Sequence, residues 1–208
     1  DFYANMESDN KETSLRYSNW FPSAFITYEL SKSSSFQLSY SKRLRRPRFW
    51  DLNPFWGLSD GRFNWEGNPF LEPELTDSYE LGYLKEFKSG NIYIGTYYRH
   101  TEDEIERIFD VNDAGYSVFK PINLGYTNAY GIEINGSIEF TKKFRTTGSF
   151  NFFNSETEGD YKNQNFYSRS YSWRTRLSNN IKMFDDKLEG QVTFDYRGPS
   201  DSPQGKNL

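Results

Sequence analysis

Apolar side chains recur at every second position along most of this chain. Ala24, Ile26, Tyr28 and Leu30 alternate with Phe25, Thr27 and Glu29. Phe36, Leu38, Tyr40 and Leu44 alternate with Gln37, Ser39, Ser41, Arg43 and Arg45. The pattern returns at Tyr79, Leu81 and Tyr83, and again at Ile92, Ile94, Thr96 and Tyr98. It is clearest at Tyr130, Ile132, Ile134, Ile138 and Phe140, which oppose Glu133, Asn135, Ser137 and Glu139. Phe144, Thr146, Gly148, Phe150 and Phe152 carry the next apolar face. Trp173, Thr175, Leu177, Ile181 and Met183 then oppose Arg174, Arg176, Ser178, Asn180 and Lys182. Leu188, Gly190, Val192, Phe194 and Tyr196 close the series against Glu189, Gln191, Thr193 and Asp195. A period of two puts the two sets on opposite faces of a pleated strand, so the chain is expected to be all-β.

The connections alternate in length. Short polar turns are expected near Ser33, Ser89, Lys142 and Asp185, and long loops at 48–72, 101–128 and 155–165. The strand that begins at Ile92 is expected to run on past the membrane span through Ile105 and Ile108. In an antiparallel meander this alternation places all short turns on one side and all long loops on the other. Outer-membrane barrels have that asymmetry, and strands of about ten alternating residues span the bilayer when tilted. Aromatics near strand ends fit interfacial girdles. A soluble β-sandwich also alternates inward and outward, and periodicity alone leaves it open.

Composition sharpens the choice. Hydrophobic residues make up 35% of the 208 residues, and aromatics 19%. Disorder would lower the first but also deplete the second. Few aliphatics beside many aromatics point to strands with one greasy and one wet face. The net charge of −4 supplies no global basic field for nucleic acid. The absence of cysteine excludes disulfides and thiolate metal sites. No apolar run approaches the roughly 20 residues of a transmembrane helix, which says nothing about a barrel.

The longest connection is also the most unusual. Strongly basic positions at Lys42, Arg43, Arg45, Arg46 and Arg48 lead into Phe49, Trp50, Phe55, Trp56, Phe63, Trp65 and Phe70, punctuated by glycine and proline. Four stretches, SYSKRLRRPRFWDLNPF (39–55), GNPFLEPELTDSYELGY (67–83), NLGYTNAYGIEINGS (123–137) and YRGPSDSPQGK (196–206), together carry a family resemblance. They resemble the C-terminal part of the barrel of TonB-dependent outer-membrane receptors, of the Bacteroidetes outer-membrane β-barrel type. The resemblance implies an antiparallel transmembrane barrel of about 22 strands plugged by an N-terminal domain. Residues 1–208 are then expected to be an internal segment of about nine strands, with the plug domain and TonB box outside this chain. Implied partners are outer-membrane lipid, the TonB complex through the N-terminal part, and a surface lipoprotein or larger membrane assembly, with no nucleic acid and no cofactor. The implied location is the bacterial outer membrane.

No catalytic constellation is present. His100 is the only histidine, and a triad or zinc site needs partners the chain lacks. It reads as an exposed structural side chain, and no metal is expected. The acidic run Glu102, Asp103, Glu104, Glu106, Asp110 and Asp113 lacks the spacing of a calcium loop and reads as a solvated loop. Arg43 and Arg45 share one wet face, Arg174 and Arg176 another. Guanidinium groups donate in a planar fork that suits carboxylate and phosphate. Such arginines serve an anionic ligand, acidic residues of a plug, or neighbouring carboxylates of the wall. Lys42 and Arg46 have the opposite parity and are expected to meet lipopolysaccharide phosphates. Trp50, Trp56 and Trp65 either stack on a ligand or pack their own loop. Three functions stay open at this point. The chain is part of an energised importer for a scarce siderophore, glycan or peptide. It is a non-transporting barrel serving as a binding or structural subunit. Or it is a soluble carbohydrate-binding β-sandwich.

Overall fold

A computed structural model describes residues 2–6, 11–15, 20–54, 64–111, 115, 117–185, 187–202 and 205–207. A first hairpin pairs β1 (Phe2–Met6) with β2 (Lys11–Leu15). The main sheet contains β3 (Ser23–Ser31), β4 (Ser34–Arg45), β6 (Glu74–Phe87), β7 (Gly90–Glu102), β10 (Tyr126–Thr141), β11 (Phe144–Tyr161), β12 (Gln164–Met183) and β13 (Leu188–Arg197). Neighbours pair antiparallel in chain order. This open meander has eight strands, in keeping with the segment of about nine that the family resemblance implied. Between β4 and β6 lie a single helical turn, α1 (Phe49–Leu52), and β5 (Asn64–Trp65). Between β7 and β10 lies a hairpin of β8 (Ile105–Val111) and β9 (Ser117–Asn123), with β5 parallel to β9. Short β14 (Ser200–Ser202) and β15 (Gly205–Asn207) pair in the segment expected to be turn-like.

Register lines up the alternating residues into rows that cross the sheet. Tyr40, Tyr79, Tyr98, Tyr130, Asn154 and Tyr171 form one row on the outward face. Its rings touch: Tyr40 and Tyr79 are 5.0 Å apart, Tyr79 and Tyr98 6.3 Å. The next row toward the short turns is Ile26, Leu38, Leu81, Thr96, Ile132, Phe152 and Trp173. Below it come Tyr28, Phe36, Tyr83, Ile94, Ile134, Phe150, Thr175 and Tyr196. Tyr130 to Phe140 is about ten residue steps on β10. At roughly 3.3 Å per step and a tilt near 40°, that is a band about 25 Å tall.

This face has no protein cover among the described residues. Ile26 is 61% exposed, Leu38 51%, Leu81 52%, Ile132 46% and Val192 67%. The buried aliphatic core lies elsewhere, in Leu52, Leu71, Ile108, Val118, Ile122 and Leu124 around the β8–β9 hairpin. A water-soluble sandwich buries its apolar sheet face against a second sheet, and monomers rarely expose so large a patch. Here the external loops hold the dry core and the sheet shows its greasy side, as hydrocarbon solvent demands.

Two expectations about the loops are corrected. The polar stretch 155–165 is not a loop. β11 continues to Tyr161, the chain reverses at Lys162 and Asn163 (φ 48° and 64°), and β12 starts at Gln164. Beyond the bilayer both strand faces are polar, so alternation fades while the ladder continues. Positive φ at both turn residues is the geometry of a tight two-residue hairpin. Nor does β7 run on through Ile105 and Ile108. It breaks at Asp103 (φ 56°), and Ile108 instead packs with Ile122 and Leu124 under Tyr161 and Phe166. The hairpin's base is pinned where Asp103 N–H donates to the Gly125 carbonyl and Leu124 N–H to that of Glu104, each at 2.8 Å. Gly125 has φ 61°, and a Cβ there would stand 2.2 Å from the Glu158 carbonyl oxygen. Only glycine meets both constraints.

Candidate functional site

The inward face of the sheet is mostly polar, and its arginines are mostly matched by the wall itself. Arg45 donates from Nε and a terminal nitrogen to Glu74, which is buried and also accepts the Ile105 N–H at 2.8 Å. Arg174 and Arg176 both hold Asp195, at 2.9 and 2.7 Å. Arg99 reaches Glu80 at 3.2 Å and lies 4.1 Å over the Tyr97 ring. Cross-strand register produces this pairing: Arg45 faces Glu74, and Arg176 faces Asp195. Arg43 differs. It is exposed, it faces Thr76 across the ladder, and it has no ion pair among the described residues. Hydroxyls continue its row, with Thr76 against Thr101 at 2.9 Å and Thr127 against Thr157 at 2.8 Å. Lower down, the Tyr93 ring lies across Gly82 and Gly95, where any Cβ would collide with it. The paired glycines at register were the sequence signal for that covering ring.

Above this wall the long connections fold into an ordered cap. Asp51 of α1 is buried and takes Arg107 of β8 at 2.9 Å. Trp65 donates from its indole to the Trp50 carbonyl at 3.2 Å, stacks edge-on to Phe119 and lies under Arg107. Asn68 donates to the Pro121 carbonyl, and Asn123 clips Glu72 in both directions. Asp110 ties the cap to the β11–β12 turn through Lys162 at 2.9 Å and Tyr161 at 3.1 Å, and holds Lys120 of its own hairpin at 3.4 Å. Partial burial pushes the Asp110 carboxyl up, but donors from Lys162, the Val111 amide, Tyr161 and Lys120 prevail and bring it to about 2. Glu104 shows the opposite balance. Burial, then Glu74 and Glu106, raise it to about 7 despite Arg45. Burial likewise raises Glu106.

The residues singled out by sequence therefore divide. Trp65 packs its own loop. Trp50 lends it a carbonyl and leaves half its surface exposed, while Trp56 lies outside the described residues. Lys42 faces outward, as its parity implied, and bonds Asp77 at 3.1 Å beside the Tyr40 hydroxyl. Arg46 follows the end of β4 and is exposed. His100 is half-buried rather than exposed: Nδ1 lies 2.8 Å from Asn128 Oδ1 in the outward row above the tyrosines. The acidic run is not the solvated loop expected: Glu104, Glu106 and Asp110 are half-buried at the β8–β9 hairpin, while Asp113 lies outside the described residues. No group of three or more carboxylates or histidines among the described residues has metal-holding geometry.

An uncovered apolar band, a polar inner wall and a folded cap at the long-loop end are together what decides the class. A model of the outer membrane protein β-barrel family matches residues 1–208. The chain belongs to that family. It is a segment of an outer-membrane β-barrel, and the β-sandwich reading is set aside. The iron-regulated outer membrane virulence protein of Vibrio cholerae is 22% identical over 205 residues, covering 90% of this chain and 30% of that relative. Among solved structures, the siderophore receptor PirA from Pseudomonas aeruginosa superposes with a TM-score of 0.56 at 15% identity. The match covers 90% of this chain and 40% of that one. A mutant ferric enterobactin receptor from Pseudomonas aeruginosa, in complex with enterobactin, gives 0.51 at 11% identity, over 80% and 33% of the two chains. These likenesses establish a shared barrel fold. The chain spans under half the length of each of these relatives.

Proposed function

We propose that the chain is part of the barrel wall of a TonB-dependent transporter that imports a scarce extracellular ligand and catalyses no reaction. The observation that carries this reading is the contrast on the inner wall. Arg45, Arg174 and Arg176 are satisfied by wall carboxylates, while Arg43 stands unmatched at the head of a hydroxyl row just below the cap. A pore wall that neutralises most of its arginines, yet leaves Arg43 without an ion pair among the described residues near the external mouth, suits an anionic solute arriving from outside. Relatives named as siderophore receptors favour a ferric siderophore over a glycan or peptide. The TonB complex would act through the N-terminal part of the protein.

The test is uptake. A strain lacking the complete protein should fail to accumulate a radiolabelled ferric siderophore under iron limitation, and the wild-type gene should restore it. Restoration should also require the strain's TonB. Undiminished uptake in the deletion strain, with siderophores, glycans and peptides each tried, would favour the second reading, a non-transporting barrel that binds partners through its cap. The exposure of Phe49, Trp50 and Phe70 on the cap is what that second reading has in its favour.

A further inference from the structure

The outward face is indented between β10 and β11. Gly136 of β10 and Gly148 of β11 stand opposite each other, flanked in register by Ile92 and Leu177. Two glycines abreast leave a gap between the side chains of Ile92 and Leu177. The result is a groove of about 520 Å³ walled by Phe87, Ile134, Ile138, Phe140, Phe150 and Leu177. Its lining is almost wholly apolar, and it lies within the hydrocarbon band.

The groove lies at the short-turn end. Phe140 stands just before the 142–143 turn, and Phe87 just before the 88–89 turn. These turns are neighbours, because Glu139 N–H donates to the Ser89 carbonyl at 2.7 Å. Each carries an exposed lysine, Lys88 and Lys142, that has no ion pair among the described residues. At the opposite rim two outward cations are already matched, Lys42 by Asp77 and Arg169 by Glu156 at 3.0 Å. Lysines without an ion pair among the described residues therefore stand on the turns beside the groove. Short turns of such barrels are periplasmic.

We propose that this groove is a binding site for an anionic glycerophospholipid of the periplasmic leaflet. One acyl chain lies over Gly136 and Gly148, and the phosphate sits between Lys88 and Lys142. Surrounding lipid tails are as apolar as the groove, so burial alone gives no preference for one lipid. Selectivity comes from the shape of the notch and from the two lysines, each worth about a fivefold gain in affinity for an anionic lipid near the surface.

The complete protein, purified in mild detergent, is titrated with phosphatidylglycerol, phosphatidylcholine and lipid A and examined by native mass spectrometry. Phosphatidylglycerol should be retained in preference to the other two. Lys88→Gln with Lys142→Gln should weaken that retention by more than about tenfold, whereas Lys32→Gln, on a more distant turn, should not. Gly148→Leu fills the groove and should remove the bound lipid. Its Cβ would lie 3.1 Å from the flexible end of Leu177, which can yield. Heat-dependent gel migration reports whether each variant is folded. If Gly148→Leu does not fold, the lysine pair on exposed turns still decides. Equal retention of phosphatidylcholine or lipid A overturns the proposal. So does undiminished phosphatidylglycerol in the lysine variant or in a folded Gly148→Leu protein.

Discussion

Lysine at Ile134 tests the face assignment most directly. Ile134 is about four residues from Tyr130 and about six from Phe140, near the middle of the apolar band. Its register neighbours are Ile94 and Phe150, and all three project outward. An ammonium group here must be held in hydrocarbon or reach an interface. Lys85 shows the reach available, since its Nζ bonds Ser33 Oγ at 3.0 Å only because it lies close to a short turn. Position 134 lies far from either turn, between Ile94 and Phe150. The expected loss is therefore in the upper part of the 2–4 kcal/mol range for a midplane lysine, about 3 kcal/mol. Asn135, one residue on, faces inward between Tyr93 and Ser149 and lines an open hollow with Arg176. Lysine there meets water and a neighbouring positive charge, and should cost about 0.5 kcal/mol. The difference, about 2.5 kcal/mol, corresponds to roughly sixtyfold in the folding equilibrium. Guanidinium-dependent folding of the complete barrel in phospholipid vesicles measures both variants on one scale. Costs that agree within about 0.5 kcal/mol, or a larger cost at 135, would refute the outward placement of Ile134.

Docking of the cap should depend on pH through Glu104. Its folded value of about 7 lies above the ordinary 4.5, so its ionisation opposes docking. Docking is unimpaired below about pH 4.5 and weakens as pH rises through about 7, by on the order of 3 kcal/mol at the alkaline end. Hydrogen exchange of β8 and β9, corrected for intrinsic rates, should show stronger protection at pH 5 than at pH 8, and Glu104→Gln should flatten the difference. Arg43→Ala should leave unfolding unchanged and weaken ligand binding by more than about tenfold, the worth of one charge-assisted contact. Arg45→Ala should do the reverse, lowering stability by about 1–3 kcal/mol because Glu74 stays buried without its cation. Titration and thermal unfolding on both variants separate the two roles. Gly125→Ala should loosen the junction of β9 and β10, seen as lost protection at Asp103 and Leu124, because strain and a backbone clash add there. Residues 1–208 alone should not conduct as a closed pore in planar bilayers, because β3 and β13 are edge strands of an open sheet.

The sequence alone determined which residues face out and which face in. Strand periodicity is local and every second position is equivalent, so Ile132, Ile134, Phe150, Leu177 and Val192 were assignable from their neighbours. Where both faces are wet that signal vanishes, which is why β11 and β12 above the bilayer read as a loop. Tertiary structure decided everything that depends on which strand lies beside which. Register, not composition, set Arg45 on Glu74 and Arg176 on Asp195 and left Arg43 unmatched. It also aligned Tyr40, Tyr79, Tyr98 and Tyr130 into one girdle, and Gly136 with Gly148 into one groove. The cap is the furthest from sequence reading. Ile108, Ile122 and Leu124 form a dry core with Tyr161 and Phe166 from a distant hairpin. No local pattern encodes such a meeting, because it exists only once β11 and β12 rise beside the chain that leaves β7.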